Sequence, residues 1–200
     1  MTSPRGRPRQ FDRDVALGIA VEVFWARGYE ATSINDLATA IGIGVPSLYA
    51  AFGSKRALFE EVVAEYTRRH AASLQTAIDQ EPTLTGAVRR LLLEAAAAST
   101  RPGLPRGDLI VSAAVNTTAP EVEQLLRKLR VDGTATLEAL IARAVAAGEL
   151  PAGTDAHGLA HYVSATLQGI AQQARDGADR ATLEKVAALA MRAWPAGTGD

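Results

Sequence analysis

Two hundred residues, 48% of them apolar, carry 21 Lys and Arg against 22 Asp and Glu, for a formal charge of −1. A chain of that size and composition buries a sizeable core in one or two domains, which excludes intrinsic disorder. It has no cysteine, which excludes a disulfide framework, a thiolate zinc site, an iron–sulfur cluster or a cysteine nucleophile. No apolar run approaches the roughly 18 residues of a membrane span. The opening MTSPRGRPRQ lacks the apolar stretch of a leader, so a soluble cytoplasmic protein is expected. Charge is uneven: residues 1–56 hold seven basic side chains against five acids, and the remainder 14 against 17. Eight of the ten aromatic residues lie between Phe11 and Tyr66. Two parts with different tasks are expected, a head at 1–53 and a body at 54–200.

Apolar spacing of three and four predicts an all-α chain of about nine helices. The first runs from the N-cap Asp12 to Gly28, with Phe11 placed as a hydrophobic staple and Ala16, Ile19, Ala20, Val23 and Phe24 inward. The second starts at Ser33, whose spacing to Asp36 is that of a capping box, and ends at Gly42. A third covers about Val45–Phe52, with Pro46 tolerated in its first turn. A fourth, long helix follows over about Lys55–Ile78, with Leu58, Val62, Tyr66, Leu74 and Ile78 inward. Thr83–Ser99 is the fifth, and the Pro- and Gly-rich stretch 101–107 is a loop. Asp108–Asn116 is the sixth. Thr118 and Glu121 form a second capping box opening a seventh to Ala147, with a bend at Gly133. Asp155–Arg175 and Asp179–Trp194 complete the count.

The pair at 33–52 has the layout of a helix-turn-helix, whose second helix enters the DNA major groove. At 100° per residue, Leu48 inward puts Phe52 about 40° and Val45 about 60° away, so Pro46 and Ala50 point outward, flanked by Ser47 and Tyr49. That face has no carboxylate to repel phosphate. An ordinary tri-helical packing turn has the same periodicity, and the N-terminal arm is what favours DNA. Pro4-Arg5-Gly6-Arg7-Pro8-Arg9 sets three guanidinium groups on a segment that cannot be helical, a composition suited to a narrow A·T-rich minor groove. Its centre, Arg5-Gly6-Arg7-Pro8, also resembles the AT-hook.

The residues Gly28-Tyr29-Glu30-Ala31-Thr32-Ser33-Ile34, then Leu37-Ala38, Gly42-Ile43, Ser47-Leu48-Tyr49, Phe52 and Ser54-Lys55-Arg56-Ala57-Leu58-Phe59 resemble the DNA-binding domain of TetR/AcrR-family transcriptional regulators over about residues 10–66. The resemblance implies an all-α homodimer, usually a repressor, that binds an inverted-repeat operator and is released by a small-molecule effector. It places Ser47 and Tyr49 on phosphates or base edges, Lys55 on a phosphate, and a further phosphate at Thr32 or Ser33. Gly44 and Val45 depart from the family's common Ser and Lys, and Ala50 and Ala51 from a longer polar or aromatic pair. Base reading is therefore assigned to apolar contacts of Val45, Pro46 and Ala50 with thymine methyls, and Arg5, Arg7 and Arg9 to the flanking minor groove.

In the body, Leu159, Val163, Leu167, Ile170 and Ala174 stripe the eighth helix, and Leu183, Val186, Ala187, Ala190 and Trp194 the ninth. Both stripes are expected to pair with a second copy. With Tyr162 and Trp194 the only aromatics beyond residue 66, a modest aliphatic or polar effector is expected among the fourth to eighth helices, near Tyr66, His70, His161, Tyr162 and Gln168. No cofactor is expected. His157 and His161 have the i, i+4 spacing of a metal face but lack a matching glutamate, and a polar stripe is preferred. A non-regulatory architectural DNA binder and an all-α enzyme are the alternatives.

Overall fold

The computed structural model describes residues 12–113 and 117–195. Among these residues there are nine α-helices and no strand: α1 (Arg13–Arg27), α2 (Ile34–Ile41), α3 (Val45–Phe52), α4 (Lys55–Gln80), α5 (Leu84–Ser99), α6 (Leu109–Ala113), α7 (Pro120–Ala146), α8 (Ala156–Arg175) and α9 (Arg180–Arg192). The Phe11 staple and the arm with Arg5, Arg7 and Arg9 lie outside the described residues.

Short polar side chains start most of these helices. Asp12 accepts from the amides of Asp14 and Val15 at 3.0 and 3.1 Å. Ser33 and Asp36 form the expected reciprocal capping box, and Ser54 accepts from the amide of Ala57 at 3.0 Å. Each removes an orphan N–H that a helix start otherwise leaves unmet.

α7 departs from the expectation. It begins at Pro120, with Ala119 as an N-cap that offers no side chain. Thr118 is instead bonded to Glu30, 88 residues earlier, so the Thr118–Glu121 box does not form. Proline at the first helical position costs nothing, because that N–H is one of the orphans. The helix also runs through Gly133 without a break. In α4 the inward row passes through Ala77, while Leu74 and Ile78 are half-buried.

Two apolar cores result. The first joins Phe24, Leu37, Leu48, Phe52, Phe59 and Val62 to Leu109, Val122 and Leu126. Head residues thus share a core with α6 and the first half of α7, so the packing does not divide at residue 53. Phe24 and Phe59 meet edge to face, with centroids 5.0 Å apart. Burying each such ring is worth roughly 1.5–3 kcal/mol. The second core gathers α5, the second half of α7, α8 and α9 around Leu92, Ile141, Ile170 and Leu183.

That second core corrects the expected pairing face. Val163, Ile170, Leu183, Ala187, Ala190 and Trp194 are buried within the single chain, and Leu159, Leu167 and Val186 are packed half-buried against them. An amphipathic helix turns its apolar stripe to whatever lies nearest, and here α5 and α7 already cover it. Tyr162 and Leu189 are what α8 and α9 leave outside, 39% and 60% exposed.

Candidate nucleic-acid interface

The turn between α2 and α3 rests on Gly42, left-handed at φ 79°, whose amide donates to the carbonyls of Ala38 and Thr39. A side chain there would be strained, which is why glycine ends α2. α3 then turns Leu48 and Phe52 into the core, leaves Val45 half-buried and exposes Pro46, Ser47, Tyr49 and Ala50. The octapeptide of α3 contains no acidic or basic residue, so its outer face carries no formal charge.

Tertiary contacts invisible in the sequence pattern fix the pitch of this face. Arg13 of α1 donates twice to Glu61 of α4, at 2.7 and 2.6 Å, while its guanidinium lies 4.7 Å above the Phe52 ring. One side chain therefore ties α1, α3 and α4 together. Arg27 pairs with Asp36 at 2.8 Å. Bonds from the Ser33 hydroxyl and amide, with Arg27 beside them, hold the Asp36 carboxyl down to about 2. Lys55 stands at the first position of α4, its ammonium 4.3 Å over Tyr29, and Tyr29 in turn packs on Phe59 at 5.0 Å. Burial pushes the lysine below its ordinary value, opposed by the charge of Glu30.

The structure exposes Pro46, Ser47, Tyr49 and Ala50 together on α3 and sets Lys55 at the start of the next helix, and it corrects Thr32. That side chain is fully buried, and its hydroxyl donates to the carbonyl of Gly28 at 2.7 Å. It closes the end of α1 and cannot reach a phosphate. Ser33 is exposed, but its hydroxyl donates to Asp36 at 2.6 Å and accepts the Asp36 amide at 3.1 Å. Its one hydrogen is committed, beside a carboxylate. Arg13, Tyr29 and Glu30 make contacts that spacing did not reveal, because their partners lie far along the chain, on α4 or in the segment before α7.

In the body, the five residues expected around an effector do not converge. Tyr66 is 6% exposed; its hydroxyl donates to Asp108 at 2.8 Å and accepts from the amide of Leu109 at 3.2 Å. Burial pushes that phenol above its usual range, with the Asp108 charge adding to the shift. The His70 ring lies against Tyr66 at 4.3 Å. His161, Tyr162 and Gln168 instead sit on the exposed side of α8. Two grooves, of about 510 and 310 Å³, run along α5 and against α9, lined by residues such as Arg89, Leu93 and Met191. None of the five lines either groove. Among the described residues, five buried polar atoms have no hydrogen-bond partner: Trp25 Nε1 on α1, Thr67 Oγ1 on α4, Ser112 Oγ on α6, Arg130 Nη1 on α7 and Thr154 Oγ1 before α8.

The rings of His157 and His161 lie 4.6 Å apart, tilted by 57°, and His157 Nδ1 lies 3.0 Å from Glu138. Among the described residues, no group of three or more such side chains is placed to hold a metal ion. Nor is any described helix long and apolar enough to cross a membrane.

Residues 17–62 match the family described as bacterial regulatory proteins, tetR family, and residues 85–190 match the tetracyclin repressor-like C-terminal domain. The transcriptional repressor ComR of Escherichia coli K12 is 32% identical over 194 residues, which span 96% of this chain and 92% of that one. The repressor BdcR of the same organism is 28% identical over 188 residues, 94% of this chain and 91% of its own. A cysteine-substituted form of the TetR regulator CifR, complexed with 26 base pairs of operator DNA, superposes with a TM-score of 0.89. It has 41% identity and covers 95% of this chain and 100% of that one. A TetR regulator from Rhodococcus sp. RHA1, also 41% identical, gives a TM-score of 0.64 with 90% and 98% covered.

Proposed function

The chain belongs to the TetR family of bacterial regulatory proteins, and from that premise we propose that it is a transcriptional repressor and not an enzyme. In this reading a homodimer holds an inverted-repeat operator in its two heads and releases it when a small molecule enters the body. The observation that carries it is the outer face of α3. Pro46, Ser47, Tyr49 and Ala50 are exposed together without an acid, on a head that Arg13 braces against α4.

Roles divide by chemistry. Tyr49 and Lys55 anchor phosphates, which position the protein without reading sequence. Pro46 and Ala50 lack the paired donors and acceptors for guanine or adenine and meet thymine methyls, with half-buried Val45 at their edge and Ser47 as an adaptable hydrogen-bonding group. Arg5, Arg7 and Arg9 add A·T preference in the minor groove on the flank. Two α3 helices about one helical turn apart, ~34–36 Å, require an inverted repeat.

The dimer is built on the side of α8 and α9 that carries Tyr162 and Leu189, with half-buried Val186 between them. The effector enters beside α6, which packs on both α4 and α7. There Thr67, Ser112 and Arg130 each carry a buried polar atom without a hydrogen-bond partner among the described residues, and the His70–Tyr66–Asp108 group lies alongside. Their donors suit a ligand bearing oxygen acceptors. A ligand that favours a displaced α4 by ~1–3 kcal/mol would lower operator affinity 5- to 150-fold.

Selection from a random duplex library, followed by footprinting, tests the reading. An inverted repeat protected on both half-sites is the expected result. Weak binding indifferent to sequence would replace it with an architectural role.

A further inference from the structure

Glu30 lies in the turn between α1 and α2 and reaches across the molecule to the segment before α7. Its Oε1 accepts from the amide of Thr118 at 2.8 Å, from the hydroxyls of Thr118 and Thr117 at 3.1 Å, and from the amide of Ala119 at 3.2 Å. Ala119 supplies no side-chain cap to α7, and Glu30 accepts the amides of this N-cap residue and of Thr118 before it. A 27-residue helix thus takes its N-terminal acceptor from the head, where the helix dipole also favours a carboxylate. The Thr118 amide bond foremost, helped by the two hydroxyls, keeps the Glu30 carboxyl below its ordinary range.

Glu30 is also linked to Lys55. Its charge acts on Lys55, and its chain neighbour Tyr29 carries the Lys55 ammonium on its ring. One turn of two residues therefore touches both the α6–α7 joint and the lysine assigned to phosphate.

Resting on the operator-binding reading above, we propose that Glu30 is a positioning residue for DNA binding, which couples the α6–α7 joint to Lys55 and to the pitch of α3. Besides this join, the Arg13–Glu61 pair and the Lys55–Tyr29 contact, apolar packing connects head and body. Leu109 and Ala113 pack into the core shared with α1, and Trp25 meets Tyr66 edge to face at 5.5 Å. Apolar surfaces can slide with little change in energy, whereas a carboxylate shared by four donors is either in register or released. Because Glu30 is exposed, water can replace its partners, so the two arrangements lie close enough in energy for a ligand near α6 to choose between them. Displacing residues 117–119 would free Glu30, slacken the turn under Lys55 and loosen operator binding.

The absence of cysteine makes the test direct. Ala40→Cys on α2 and Arg127→Cys on α7, both at exposed positions, accept a pair of spin labels, and labelled chains diluted into unlabelled ones report the distance from head to body. Glu30→Ala should broaden or shift that distance. It should also weaken binding to a duplex selected by the wild type by ~5-fold or more. Adding Lys55→Ala to Glu30→Ala should cost less than Lys55→Ala costs alone. Glu30→Gln keeps an oxygen acceptor, so it should restore the distance and, with it, much of the affinity. Label distances unchanged in a folded Glu30→Ala, with fully additive effects of Glu30→Ala and Lys55→Ala, would overturn the proposal. A wild type that selects no duplex would instead remove the operator reading, and the label distances would still decide whether Glu30 couples head to body.

Discussion

The ammonium of Lys55 sits 4.3 Å from the ring centroid of Tyr29. A lysine is otherwise a flexible point charge; on an aromatic face at the start of α4 it becomes an oriented one, held partly dry against a ring that is itself fixed on Phe59. It is thus pre-organised at the start of the helix that follows α3.

Lys55→Ala should accordingly weaken specific and non-specific duplexes by a similar factor. The slope of log affinity against log salt should fall by about one unit, as for the loss of one phosphate contact. Filter binding across a salt series measures both. Weakening confined to the specific site would contradict the phosphate role.

Deletion of residues 1–9 should behave differently, relaxing preference at the outer A·T positions of the selected site while leaving the half-site pattern in place. Comparison of selected sequences for the full and shortened chains decides this. Unchanged flanking preference would remove the arm from sequence reading.

Charge on the pairing face should separate copies without unfolding them. Leu189→Glu, together with Tyr162→Glu, should give a folded monomer in sedimentation at micromolar concentration. Val163→Glu and Ala187→Glu should instead unfold the chain, since an unpaired buried charge costs at least several kcal/mol. A folded monomer from Val163→Glu would return that face to the dimer interface.

The helix-turn-helix should carry its own acid sensitivity. The fold binds the charged form of Asp36, whose carboxyl is held down to about 2 against an ordinary 3.8. This contribution is complete above the ordinary value and disappears as pH falls towards 2. Asp36→Asn should therefore lose stability at neutral pH and show a shallower decline than wild type between about pH 4 and 2, in urea titrations followed by circular dichroism. Parallel curves would show that the carboxylate contributes nothing.

Two glycines should respond unequally to alanine. Gly42→Ala meets nothing within 4 Å at φ 79°, so only left-handed strain opposes it, roughly 1–2 kcal/mol. At Gly107, with φ 86°, a Cβ would also come within 2.8 Å of the Ala171 carbonyl and 2.7 Å of Arg175 Cγ. Its loop is held in place by Arg106, which donates to the carbonyls of Ala174 and Ala178. Gly107→Ala should exceed Gly42→Ala in the loss of thermal stability.

The sequence by itself determined the helices, because capping, glycine stops and the three-to-four spacing act within a few residues. Asp12, Ser33, Ser54, Thr83 and Asp179 each open a helix where their side chains can reach the next free amides. The outward face of α3 follows from the same local periodicity. Which apolar stripe meets which neighbour is a matter of tertiary structure. The stripes on α8 and α9 are equally apolar whether they face α5 and α7 or a second copy, and only packing assigned Val163, Leu183 and Ala187 to the chain's own core. Long-range polar partners are decided in the same way. Thr118 and Glu121 have capping-box spacing, yet Glu30 is already at the Thr118 amide, brought there by a core shared between head and body. A hydrogen bond between residues 88 apart leaves no mark in local spacing, and only the packing of α1 against α6 brings its two ends together.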